Sequence, residues 1–243
     1  YKEMGISKSK VKQFFNRVDY LIADCKRDYT IAVQNGFKSE FLGVFPGNGG
    51  LEIDKRLIKS SDKRSTILIK GYEDGVGKAL LVIKALELIP KAVLKAFQIV
   101  VYSSDELVRK YINESNFLTD LDVSVYTRSS FLQNKELLKI MGISCIHIAN
   151  SISDGMPNVL LEAMGMGAFP IQSNPGGVTE EVIVNEKNGF LIDNPLNENH
   201  IAELIERAIT DGKLREEAQK YNVVFIQKKY NNFIITTIFF DNY

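Results

Sequence analysis

The chain has 243 residues, 45% of them hydrophobic and 25% charged, and its 30 basic and 30 acidic groups balance to a formal net charge of zero. That length suits one large domain or two small ones, and the composition suits a folded globular protein. The balanced charge excludes the basic excess that a nucleic-acid partner needs, and two distant cysteines, Cys25 and Cys145, exclude a disulfide framework or a zinc site and fit a reducing, cytoplasmic setting.

The chain opens on "YKEMGISKSKVKQFF", which begins at Tyr1 and lacks the pattern of a signal peptide. It is expected to be a piece of a longer chain whose upstream part is missing. The "KSKVKQFF" segment and the late "FIITTIFF" segment are aromatic and partly basic, and core packing is the expected use of both rather than membrane contact. No run of about eighteen apolar residues predicts a membrane span. "VDYLIAD" predicts a strand, "CKRDYTIAVQNG" a helix stopped by Gly36, and "EFLGVF" a second strand. "PGNGGLEID" has linker chemistry, and the polar "KSSDKRS" completes a break. Beyond it the rhythm restarts with the strand "TILIKG" and one long helix, "GKALLVIKALELIPKAVL". Then come the strand "AFQIVVYSS", the helix "DELVRKYINES", the strand "LDVSVYT", the helix "FLQNKELLKIMG" and the strand "SCIHIAN". The helix "MPNVLLEAMGMG", the strand "AFPIQSN", a short helix "TEEVIVNEKNG", the strand "FLI" and the helix "NENHIAELIERAITD" follow. Strands alternating with helical crossovers predict an α/β fold, a doubly wound parallel sheet of Rossmann-like type.

Such sheets bind ligands outside the carboxyl ends of their strands, so polar residues that follow a strand carry the functional interest. "ILIKG" ends at Lys70-Gly71, and in "YEDGVGK" the glycines Gly75 and Gly77 lead to Lys78 at the start of a helix. A glycine-rich turn there can offer backbone N–H groups to phosphate, and lysine adds a compact charge. The spacing is neither a dinucleotide fingerprint nor a P-loop, and a flexible turn with a surface lysine is the alternative.

"SCIHIANSISDG" carries Asp154 into a loop, and "MPNVLLEAM" follows. Pro157 suits the first helical turn. The free N–H groups near Pro157, Asn158 and Val159 and the helix dipole favour an anion. Glu162 lies one turn after Asn158, so both carboxylates are expected to face one crevice. The alternatives are a turn or cap role for Asp154 and a solvent-facing Glu162. Against the latter, Leu160, Leu161, Ala163 and Met164 surround Glu162, and a carboxylate among them needs hydrogen-bond donors. In "SNPGGVTEEV", Gly176-Gly177 allow close approach of a ligand. Thr179, Glu180 and Glu181 serve as cap and first-turn acids, or only offset a helix dipole. His147 reads as a core histidine with a satisfied ring, and neither it nor His200 has a metal-ligand companion.

The stretch "SDGMPNVLLEAMGMGAFPIQSNPGGVTEEVIVNEKNGFLI" resembles the nucleotide-sugar domain of retaining GT-B glycosyltransferases of family 4, the glycosyltransferase group 1 family. That pattern has an acid, seven residues and a Glu, then a "LEAMA-G-P" helix and strand, a "GG-PE" loop and an "NG-L" turn. Asp154 and Glu162 match the acids, Gly176, Gly177 and Glu180 the loop, and Asn188 and Gly189 the turn. The resemblance implies the C-terminal half of a GT-B fold. Residues 1–45 would be the tail of an N-terminal acceptor domain, 46–62 an interdomain linker, 63–220 the nucleotide-sugar domain and 221–243 a segment that crosses back.

It also implies roles. Glu162 would hold ribose hydroxyls, Asp154 would lie near the donor sugar, and Lys78, with Lys70 and Gly71, would bind the diphosphate. The backbone of Pro157, Asn158 and Val159, with Gly176, Gly177 and Glu180, would help hold phosphate and sugar, and the base would stack near Arg128. The donor, such as a UDP-sugar or GDP-sugar, is a substrate; no metal and no separate cofactor is implied. The acceptor would be a saccharide or lipid-linked saccharide met through the N-terminal domain, in bacterial surface-polysaccharide synthesis. The setting would be cytoplasmic, with room for peripheral contact at the inner membrane face. Two departures stand out: the first acid is Asp where the family usually has Glu, and Tyr72 stands where an Arg often follows the first-strand glycine. A nucleotide-sugar binding or partner-docking module without transfer activity is the alternative from another class, and sugar-nucleotide epimerisation or phosphorolysis is a third.

Overall fold

The computed structural model of the chain describes residues 7–130 and 132–242. Residues 1–6 of the opening segment and Phe131, which the sequence reading puts at the start of a helix, lie outside the described residues. A small unit comes first: α1 (Lys8–Phe15), β1 (Tyr20–Ala23), α2 (Lys26–Gln34) and β2 (Glu40–Val44), with β1 and β2 paired in parallel. The core expectation for "KSKVKQFF" fails here, because Val11 is buried but Phe14 is 63% exposed. An eight-residue helix with a Lys at three positions has too few apolar positions to bury a second face.

The main sheet has six parallel strands: β3 (Thr66–Lys70), β4 (Gln98–Ser104), β5 (Val123–Thr127), β6 (Ser144–Ala149), β7 (Phe169–Ser173) and β8 (Phe190–Ile192). Their order across the sheet is β5-β4-β3-β6-β7-β8. The chain therefore winds outward from β3 in one direction, then returns to β3 and winds the other way. The switch point falls between β3 and β6, where a crevice opens beyond the strand ends. β6, β7 and β8 are buried along their whole length, as strands covered on both faces must be.

The helices are α3 (Ala79–Glu87), α4 (Lys91–Leu94), α5 (Glu106–Glu114), α6 (Asn134–Met141), α7 (Asn158–Gly165), α8 (Glu198–Thr210), α9 (Gly212–Tyr230) and α10 (Asn232–Asn242). The single long helix expected after β3 is two, because Pro90 ends the first and caps the second. The short helix expected over 179–189 is only a 3₁₀ turn, Thr179–Glu181. α9 packs along α7 and delivers the chain to the linker: Leu51 N–H donates to Tyr230 O (2.7 Å) and Asn232 N–H to Leu51 O (3.1 Å). On α10, Phe233 is 76% exposed while Ile235 is buried, so "FIITTIFF" packs only in part; Ile238, Phe239 and Phe240 of that segment have side chains outside the description. Within the polar "KSSDKRS" patch, Arg64 is buried. It donates to the carbonyls of Lys59, Ser144 and Met166 at 2.8–2.9 Å, and burial lowers its pKa to about 10. That guanidinium ties the linker to the amino end of β6 and to the turn before β7, opposite the crevice.

Candidate functional site

β3 ends at Lys70 in the crevice. Gly71 lets that end approach β4: a Cβ there would meet Ser104 Cα at 2.6 Å, and Gly71 exchanges backbone hydrogen bonds with Tyr102 and Asp105. Lys70 then lines a cavity of about 150 Å³ together with Tyr72, Ala149, Asn150, Asp154 and Gln172. Its ammonium lies 4.3 Å from the Tyr72 ring centre. Burial lowers its pKa, and the Asp154 and Asp74 charges oppose that. Burial likewise raises the Asp154 carboxyl, with Lys70 the leading opposing charge. The two groups thus face each other across the cavity as a half-buried pair of opposite charge.

The glycine-rich turn after Tyr72 closes on itself. Asp74 accepts from Gly77 N–H (3.0 Å), and the Lys78 ammonium donates to Gly75 O (2.6 Å). The Glu73 carboxylate accepts from Leu80 N–H (2.7 Å), so the N-terminus of α3 already holds an anion of its own. Lys78 is outside the lining of the Asp154 cavity. The turn also pairs with the loop after β6, with Lys78 N–H on Asn150 O (2.9 Å) and Ile152 N–H on Val76 O (3.0 Å).

Asp154 lies in the loop between β6 and α7, where it accepts from Gly155 N–H (2.9 Å). Pro157 is buried and is the N-cap of α7, one position before the first turn expected for it. No side chain caps this helix, so the first N–H groups, at the exposed Asn158 and half-buried Val159, remain available. Glu162 is half-buried, and Asn134 Nδ2 donates to it at 2.9 Å. Burial raises its pKa. Glu162 lines a cavity of about 490 Å³, with Asn134, Lys135 and the linker from Asn48 to Leu57, while Asp154 lines the smaller one at Lys70. The loop carries Asp154 to the β6–β7 side of α7, while the helical turn carries Glu162 to the α6 side.

His147 is fully buried. Its Nε2 pairs with Tyr102 OH at 2.9 Å, but its Nδ1 has no protein partner among the described residues, so the ring is only half satisfied. Burial lowers its pKa to about 3 and keeps it neutral.

Gly176 and Gly177 lie beyond β7 with φ of 67° and 78°, a region that glycine occupies without strain. Nothing crowds Gly177. Glu180 is exposed and accepts from Asn174 Nδ2. Glu181 has a role that no local pattern signals: it accepts from Lys26 and Arg27 N–H (3.0 Å each) and caps α2 from across the molecule. Arg27 answers in the other direction, donating to Asp154 O (3.0 Å) and Pro175 O (2.8 Å). Arg128 is held by Asp74 and Asp105 (2.9 Å each), with its guanidinium 4.0 Å from the Tyr72 ring centre. The hydrogen bond to Asp74 is the main cause of its raised pKa. Arg27, Asn134, Asn150 and Gln172 escaped the sequence reading; Asn150, directly after an apolar strand, and Gln172, near the end of one, carried a local signal.

Among the described residues, Asp24, Cys25 and Asp28 bring potential ligand atoms within 4.8 Å of one another. They fit a metal poorly, since burial pushes the Cys25 thiol up to about 12 and Asp28 already pairs with Arg27 at 2.9 Å. No helix among the described residues is long and apolar enough to cross a membrane.

The profile of the family Glycosyl transferases group 1 matches residues 58–223, more than half of the chain. The chain belongs to this family. Its fold is that of the C-terminal Rossmann-like half of a GT-B glycosyltransferase. The sucrose-phosphate synthase of Thermosynechococcus elongatus superposes with a TM-score of 0.75 at 17% identity, over 98% of this chain and 61% of that one. Anabaena HepE in complex with UDP-glucose gives 0.72 at 15% identity, over 98% and 68%. The pneumococcal O-GlcNAc transferase GtfA in complex with UDP and GlcNAc gives 0.69 at 19% identity, over 95% and 46%. The chain thus spans about three fifths of the length of the first of these structures. No curated protein matches the chain by sequence.

Proposed function

We propose that this chain carries the donor site of a retaining hexosyltransferase that takes a nucleoside-diphosphate sugar and passes the sugar to a saccharide or lipid-linked saccharide. The observation that carries the reading is the small cavity at the sheet's switch point that Lys70 and Asp154 both line, Asp154 from the loop that leads to the uncapped start of α7. The diphosphate would meet Lys70 and the α7 N–H groups, with Lys78 and the Gly176-Gly177 turn beside them. Fixed donors there would stabilise the charge that grows on the leaving diphosphate as the sugar becomes oxocarbenium-like. Asp154 would face the sugar, and Glu162 the ribose from its own cavity. The base would stack near Tyr72 and Arg128.

Family membership and the UDP and UDP-glucose complexes of the structural relatives support this reading. Residues 1–45 would be the last βα unit of the acceptor domain, tied to the donor domain by Arg27 and Glu181. Residues 46–62 would be the linker, 63–220 the donor domain and 221–243 the return segment. A role in bacterial surface polysaccharide, a cytoplasmic location and peripheral contact with the inner membrane face belong to the same proposal. The test incubates the chain with UDP- and GDP-sugars and saccharide acceptors, beside a protein that includes an acceptor domain. Expected are donor binding by both and transfer, with the anomeric configuration kept, only by the latter. Orienting the two reactants is worth about 7–11 kcal/mol of barrier. Transfer by the chain alone at a matching rate, or an inverted product, would overturn the proposal.

A further inference from the structure

Glu162 is a carboxylate with little support. It is half-buried on α7, and its cavity is lined by Glu52 and Asp54 of the linker and by Lys135 of α6. Lys135 acts on Asp54, which Arg56 also holds at 2.8 Å. From β4 comes Tyr102, a buried phenol whose hydroxyl is engaged by His147 Nε2 at 2.9 Å. Among the described residues no cation pairs with Glu162. Burial pushes its carboxyl up, and the Asn134 amide is the described contact that opposes this.

Asn134 is the first residue of α6 and is exposed, and its Nδ2 donates to Glu162 Oε1 at 2.9 Å. α6 makes no use of that side chain, since Gln133 is the N-cap and no side chain bonds there. A polar residue at a helix start ordinarily serves its own helix. This one reaches to the neighbouring helix instead. An amide N–H bonds a carboxylate without giving it a proton, so the contact favours the ionised form. It also occupies Oε1 and leaves Oε2 to a ligand.

We infer that Asn134 is a positioning residue for the nucleotide: by donating to Glu162 Oε1 it keeps this carboxylate an acceptor and aims Oε2 at the ribose hydroxyls. This rests on the ribose role of Glu162 proposed above and adds the residue that fits Glu162 for it. Asn134→Asp separates this role from a merely structural one. The change keeps the shape of the side chain and sets an acid in the first turn of α6, which the helix dipole favours. A structural role therefore predicts a chain that is as stable as wild type and binds as well. The positioning role predicts weaker binding, because the donor is lost and a second carboxylate stands beside Glu162.

The experiment is calorimetry of UDP, or of GDP if that diphosphate is the one held, on the purified chain from about pH 7 down to about pH 5. The variants are Asn134→Asp, Asn134→Ala, Glu162→Gln and the double variant Asn134→Ala/Glu162→Gln, with thermal melts to show that each folds. Affinities are taken relative to wild type at each pH, so the titration of the diphosphate itself cancels. At neutral pH, Glu162→Gln and Asn134→Asp are each expected to bind about five-fold more weakly, and Asn134→Ala about three-fold. The Asn134→Ala deficit is expected to grow as pH falls, because Glu162 takes up its proton earlier without the donor. In the Glu162→Gln background it is expected to vanish, since the two residues act as one. A deficit that does not change with pH, or that persists in full beside Glu162→Gln, would overturn the inference while the ribose role stands. So would Asn134→Asp binding as well as wild type. Affinity untouched by Glu162→Gln at every pH would overturn the ribose role and the inference with it, and failure of both diphosphates to bind would overturn the donor site as well.

Discussion

Two helices start at the crevice, α3 and α7, and they treat an incoming anion in opposite ways. The N-terminus of α3 is occupied from within: Glu73 sits on Leu80 N–H, Asp74 on Gly77 N–H, and Lys78 reaches back to Gly75 O. The N-terminus of α7 has no side-chain cap, and the loop leading to it carries Asp154 opposite Lys70. Both starts have the turn and the dipole that favour phosphate. What separates them is whether the protein's own side chains have already met the N–H groups. A glycine-rich turn that satisfies itself is architecture, and a barer helix start, reached through the acid that faces a half-buried lysine, is open to a ligand.

That contrast can be broken most sharply at the two lysines. Lys70→Ala is expected to weaken binding of a nucleoside diphosphate by about 1.5–3 kcal/mol, roughly ten- to a hundred-fold in Kd. Lys78→Ala, whose ammonium is spent on an exposed carbonyl, is expected to cost about 0–1 kcal/mol and to spare the nucleoside. Calorimetry with UDP and uridine on both variants checks the pair; a reversed order would return the phosphate to α3.

The sheet was legible because its strands are short, largely apolar runs between helical stretches, buried throughout in β6, β7 and β8. Asp154 and Glu162 were legible as a pair because their spacing sets an acid on each side of a helix start. That they open into different cavities was not, since it depends on which way the linker and α6 close over Glu162. α9 escaped because its buried positions, Ala218, Asn222, Ile226 and Tyr230, mix small, polar and aromatic residues and leave no apolar stripe. Arg27 and Glu181 escaped because each acts on backbone more than a hundred residues away, a distance no local pattern reports.

A smaller effect sharpens the difference between the two cavities. Glu162→Gln keeps an acceptor for a ribose hydroxyl but loses its charge, and is expected to weaken UDP and uridine alike by about 1 kcal/mol. An effect confined to UDP would move Glu162 to the phosphates.

The smallest expected effect is on pH dependence. Burial raises the pKa values of Asp154 and Glu162 above the ordinary 3.8 and 4.5. Sugar and ribose hydroxyls donate to the ionised forms, so donor affinity is expected to fall as pH drops through those raised values. Without ligand the sign for stability is opposite. The folded chain holds protons that the unfolded chain releases, so this contribution is fully present below the ordinary values and is lost as pH rises through the raised ones. Titrations and thermal melts across that window, on wild type and Asp154→Asn, check both signs; melts of equal slope would remove Asp154 from the account.

The most direct measurement is a crystal structure of the chain with an intact nucleotide sugar of the preferred base. The expected result has the diphosphate between Lys70 and the first N–H groups of α7, the hexose in the cavity with Asp154, and the ribose toward Glu162. A nucleotide bound at the start of α3, with the Lys70–Asp154 cavity empty, would contradict the account.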